Sequence, residues 1–154
     1  MRKVKKFKLT SEFIVDISGV KLFRIKALIE FGNVKAGDLG GYIEKEENLS
    51  HMGNAWVSGN AQVSGNAQVS GDAQVFGDAR VSGDKDYAYA HGFGSCNRTT
   101  TFFRLKDGDV GVRCGCFYGT LAQFRDNVCE THGETKKAQE YLMLADLMDF
   151  RFKN

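Results

Sequence analysis

Residues 91–101, HGFGSCNRTTT, gather groups suited to holding an anion. Gly92 and Gly94 let the backbone come close to a ligand, and His91, Ser95, Thr99 and Thr100 add polar side chains. Arg98 offers a guanidinium fork that matches two phosphate oxygens. Together they predict a pocket for a phosphorylated ligand. The segment is not a P-loop, because no Gly-Lys-Ser/Thr follows and the next residues read as a strand. The alternative is a plain flexible crossing between two structural units, since glycines and hydroxyls suit any loop.

A second set combines sulfur and imidazole. Cys114 and Cys116 are two apart on an expected strand, and Cys129 and His132 three apart on an expected helix, so each pair shares a face. Four such ligands could close a tetrahedral zinc site, with buried free thiols as the default alternative. His51, His91 and His132 are the candidate general bases. No Ser-His-Asp or paired-carboxylate constellation can be assembled from spacing, so no catalytic residue and no cofactor is assigned.

These residues must be positioned by a chain of 154 residues, enough for one domain or two small ones that lean on each other. A net charge of +2 gives no global field for nucleic acid or membrane. Positive charge is concentrated in MRKVKKFKLT at the start, expected as a solvated beginning to an edge strand, or else as a phosphate-contacting arm. No apolar run reaches the roughly 20 residues that span a bilayer, and no secretory signal is evident. Four cysteines are too sparse for a disulfide scaffold, so reduced thiols in the cytoplasm are expected.

The dominant feature is VSGNAQVSGNAQVSGDAQVFGDARVSGD, residues 57–84. Valines recur at 57, 63, 69, 75 and 81, each preceded at two residues by alanine. Alanine and valine therefore share one face of a short strand, and each Gly-Asn or Gly-Asp pair supplies a corner. Three hexads per coil would stack residues 18 apart. Asn54 would then lie against Asp72, Asn60 against Asp78 and Asn66 against Asp84, an amide against an acid each time. Upstream, Ile43 and Leu49 continue the alanine register, and HMGNAW (51–56) reads as a hexad with His51 in the valine place. Trp56, Gln62, Gln68, Gln74 and Arg80 then face outward, with Phe76 in place of the usual serine. That aromatic and glutamine wall predicts a packing surface, or one covered by the chain's own ends.

The V-x-G-[ND]-A repeat resembles the hexapeptide repeats of left-handed parallel β-helix proteins, the superfamily of trimeric acyltransferases. LFRIKALIEFGNVKAGDLGGYIEKEENLS (22–50), running into such hexads, more narrowly resembles a family of phage and prophage proteins of poorly defined function. The resemblance covers residues 5–84 and continues into GCFYGTLAQF; it places the GCF and the His132-Gly133 pair in the pattern, but not Cys129. It implies a mainly β fold, a short left-handed parallel β-helix of about 2–2.5 coils, with the outward wall forming a threefold homotrimer. It carries no activity.

The flanks complete the expected plan. Residues 1–40 form an N-terminal β cap with strands at 6–10, 13–18 and 20–30, and residues 41–86 the repeat. Residues 87–98 form a loop, and 99–154 a C-terminal module of a hairpin (99–105 and 110–117) and two helices. Thr120 and Gln123 have capping-box spacing for the first helix, and the second begins after Thr135. The function expected is a non-catalytic phage-type binding protein in the host cytoplasm. It would antagonise a host defence factor by binding a protein or by sequestering a phosphorylated or cyclic-nucleotide signal. The alternatives are a minimal trimeric acyltransferase using His51 or His91, and a virion or filament component; nucleic-acid binding ranks last.

Overall fold

The computed structural model describes residues 5–94, 98–115 and 117–153. The N-terminal part is an antiparallel meander in which β1 (Phe7–Val15) pairs with β2 (Lys21–Ala27), and β2 with β3 (Leu39–Ile43). The strands expected at 6–10 and 13–18 merge into β1. A register shift between Leu9 and Phe13 absorbs the polar Thr10, Ser11 and Glu12, as bulges do at sheet edges.

In the hexads only two residues at a time are strand: β4 (Trp56–Val57), β5 (Gln62–Val63), β6 (Gln74–Val75) and β7 (Arg80–Val81). They pair in parallel at a spacing of 18, Trp56 with Gln74 and Gln62 with Arg80. The valines from 57 to 81 and the alanines from 55 to 79 are at most 1% exposed, so the apolar face points inward. At the corners backbone stacks on backbone: a Cβ added at Gly53 would stand 2.7 Å from the Gly71 carbonyl oxygen, and Gly53 itself has φ +71.

The mainly β, left-handed parallel β-helix of 2–2.5 coils expected from these hexads is not what forms. Among the described residues the fold is mixed, 24% helical and 40% strand, and the strands lie in three separate sheets rather than a closed solenoid. Of the three parallel walls such a solenoid needs, one is merged with the meander in the order β1-β2-β3-β5-β7, and one is the pair β4-β6. In the third, the pairing described is a single bridge from Leu49 to Val69. The physical reason is strand length. Two-residue strands leave most of each hexad in corners, and side chains take backbone groups that a longer ladder would use. The Gln74 N–H bonds Thr101 Oγ1, and the Gln68 N–H bonds Asp84 Oδ1.

The upstream register also differs. Tyr42 pairs with Gln62, Ile43 with Val63 and Leu49 with Val69, all at a spacing of 20. Ile43 and Leu49 therefore occupy the valine register, not the alanine one. Two extra residues sit in the turn between Leu49 and Trp56, so His51 is not a substitute for an inward valine.

The C-terminal module is larger than a hairpin. β8 (Tyr87–Phe93), β9 (Arg98–Arg104), β10 (Val110–Cys114) and β11 (Phe117–Thr120) form an antiparallel sheet in the order β11-β10-β9-β8. Residues 87–93 are thus strand, not the loop expected at 87–98. The strand expected over 110–117 reverses at Gly115, whose φ of +59 makes the turn, so that Cys114 pairs with Phe117. α1 (Leu121–His132) starts at the Thr120–Gln123 capping box, and α2 (Lys136–Phe152) at Thr135.

β9 joins the two halves. Phe103 is buried in the core made by the hexads and the meander, while its neighbour Phe102 is buried in a second core with Val112, Phe124, Tyr141 and Ala145. Alternation along the strand sends consecutive side chains to opposite faces, so one sheet covers the hexads and carries the helices. The buried Asp86 carboxylate adds a polar tie. It accepts from the Ser82 N–H and Oγ and from Arg104 Nε at 3.2 Å, and Arg104 in turn lies over the Phe152 ring. No helix among the described residues is long and apolar enough to cross a membrane.

Candidate functional site

Where the meander, the hexads and the C-terminal sheet meet, they leave a polar cleft of about 260 Å³. Phe31 packs edge-on against Trp56 with ring centroids 5.2 Å apart, and this holds Gly32 and Asn33 at the rim. The 18-residue register sets Asn54 beside Asp72 on neighbouring corners, with Gln74 two residues further along β6. The bond from the Gln74 N–H to Thr101 Oγ1 (2.9 Å) clamps β9 against the hexads. Arg113, opposite Thr101 on β10, and Thr99, two residues before it, thereby close the far wall.

Arg113 is the group with chemistry to spare. Its guanidinium lies 4.5 Å above the Phe76 ring, which fixes its plane. Its Nε is buried and has no hydrogen-bond partner among the described residues. A desolvated guanidinium N–H without an acceptor is costly, and an anion with two oxygens relieves that cost. Across the same cleft Asp72 is half-buried and makes no ion pair with Arg113. Thr99 is oriented by His91, whose Nδ1 lies 2.7 Å from the Thr99 hydroxyl.

The structure divides the expected anion-binding set. His91 and Thr99 come together, and of the two Thr99 lines the cleft. Thr100 does not belong there: it is fully buried on the opposite face of β9, and its hydroxyl donates to Cys114 Sγ at 3.2 Å. Gly92 is exposed on β8, and Gly94 faces the helices, where an added Cβ would meet the Tyr141 ring. Ser95 and the Arg98 side chain lie outside the described residues. The residue sequence reasoning missed is Arg113. The available signal was its place as the one charged side chain in VGVRCGCF, where a strand packed on both faces has no ordinary use for it.

The expected packing surface is also revised. Trp56 is 6% exposed beneath Phe31, and Phe76 lies between Arg113 and Tyr118, with Tyr118 4.9 Å away edge-on. The chain's own flanks cover both aromatics. Gln74 turns to the cleft, while Gln62 and Arg80 line a separate concavity of about 570 Å³ beside Val15 and Ile17.

The sulfur and imidazole set does not assemble among the described residues, where no three potential metal ligands cluster. Cys114 sits between Thr100 and Tyr141, Cys129 is exposed, and His132 stacks on Tyr141. Cys116 lies outside the described residues.

His51 borders a cavity of about 840 Å³ with Lys5, Glu46, Met52 and Ser70. Its Nδ1 accepts the Lys6 N–H at 3.0 Å, its Nε2 meets Glu46 at 2.9 Å, and its ring stacks on Phe7. With Nδ1 accepting, Nε2 carries the proton, so the ring has no spare lone pair for a substrate. Lys6 is buried nearby, its ammonium bonded to the Ala55 carbonyl at 2.6 Å and set over Phe31. Burial lowers its pKa to about 8. In comparisons with known proteins, no family model matches the chain and no curated protein matches it.

Proposed function

We propose that the chain is a non-catalytic binding protein that holds a small phosphorylated ligand in the three-way cleft. Arg113 is the anion anchor, and Thr99 is a hydroxyl donor in the tautomer whose His91 Nδ1–H donates to the Thr99 oxygen. One observation carries this reading: Arg113 lines a polar concavity with its guanidinium stacked on Phe76, and its buried Nε lacks a protein acceptor. At about 260 Å³ the cleft falls just under the usual range of roughly 300–1,000 Å³ for ligand sites. It therefore suits a small molecule, or one phosphorylated moiety of a larger one such as a cyclic nucleotide. The sequence resemblance to phage and prophage proteins supports a role in which binding itself is the function, withdrawing a host signal. Acyl transfer finds no support at His51, because both ring nitrogens are already engaged.

Calorimetric titration with nucleoside monophosphates and cyclic nucleotides tests the proposal. Saturable binding is expected, weakened about tenfold or more in Arg113→Gln, because a charge-assisted bidentate contact is lost. A flat response across the panel, or full affinity in the variant, would remove it.

A further inference from the structure

Building on that anion-anchor reading, we infer that the ligand is a phosphorylated sugar with free neighbouring hydroxyls, bound by Asp72 and Asn54 while Arg113 takes the phosphate. The parallel pairing of Trp56 with Gln74 places the two corners side by side, at the spacing of about 4.8 Å between adjacent strands. A carboxylate and an amide thus face the cleft together. Asp72 has no protein donor among the described residues and is not neutralised by Arg113. A lone carboxylate in an anion site repels a bare phosphate or a polyphosphate. It becomes favourable only if the ligand presents hydroxyl or amine hydrogens at that end. A carboxylate accepting from sugar hydroxyls is the arrangement by which acidic residues recognise ribose. The cleft is accordingly two-ended, with a guanidinium on its aromatic bed at one end and a pair of acceptors at the other.

The same charges could face the carboxylate and ammonium of a free amino acid, so the experiment includes that arm. Calorimetry on the native protein would compare ribose 5-phosphate, AMP, 2′,3′-dideoxy-AMP, inorganic phosphate and serine. Ribose 5-phosphate and AMP are expected to bind, with the dideoxy compound weaker by at least about tenfold, since a site built to accept hydroxyl hydrogens rejects an analogue that lacks them. Asp72→Asn and Asn54→Ala are expected to reduce that preference while leaving the melting temperature close to native. Equal affinity for AMP and its dideoxy analogue overturns this inference and leaves the anion anchor standing. Binding of serine alone, or of none of the probes, overturns both.

Discussion

Among the described residues Lys6 and Asp86 are the two buried charges whose surroundings shift them, and they make opposite predictions about pH. The folded chain holds the Lys6 ammonium near 8, against 10.5 when free. Below that value both folded and unfolded chains carry the proton, and the full cost of burying it is present. Between about 8 and 10.5 the folded chain has released the proton and the unfolded one has not, so stability rises with pH. Urea denaturation at a series of pH values should show a gain on the order of 3 kcal/mol across this window, absent in Lys6→Met. For Asp86, burial pushes the carboxyl up, but hydrogen bonds from Ser82 and Arg104 outweigh it and hold the group below its ordinary range. Its contribution is complete above the ordinary carboxylate value and is lost as pH falls through the lowered one. Asp86→Asn should cost about 2–3 kcal/mol at neutral pH, because Arg104 loses its counter-charge, and should flatten the acid side of the stability curve.

At the scale of the elements, Val63 shows what the hexads contribute. It lies between Ile43 and Val81 on the parallel ladder and is fully buried. Val63→Ala should lower stability by about 2 kcal/mol through lost burial and a residual void, seen as a lower urea midpoint with an unchanged slope. This inward face was legible in the sequence, because a period of six with alanine two before valine fixes both direction and spacing. The caps at Thr120 and Thr135 were legible for a similar reason, since each is a local hydrogen bond written in neighbouring residues. β8 was not. In YAYAHGF the alternation is carried by Tyr87 and Tyr89 against two alanines, and Tyr87 is buried by groups distant in sequence, Phe103 beside it and the hexads, whose Gln68 carbonyl accepts from its hydroxyl. The reversal at Gly115 was hidden inside a run that reads as one strand. Arg113 was overlooked because the residues that make it matter, Phe76, Asp72 and Asn54, lie far from it along the chain.

Over the whole molecule, β9 serves two cores through Phe102 and Phe103, so neither half can loosen alone. The single tryptophan, Trp56, reports on the hexad side, whereas the helical dichroism comes mainly from α1 and α2. Thermal melts followed by both probes should coincide, and Phe103→Ala should lower both midpoints together; separate transitions would mean that the halves are independent. A further consequence follows from the 18-residue parallel pairing of Trp56 with Gln74. One extra hexad between them would put 24 residues where the ladder spans 18, so Asn54 and Asp72 would no longer lie side by side. Copying errors that add a hexad there should be lost from the gene, although each added unit repeats its neighbours faithfully.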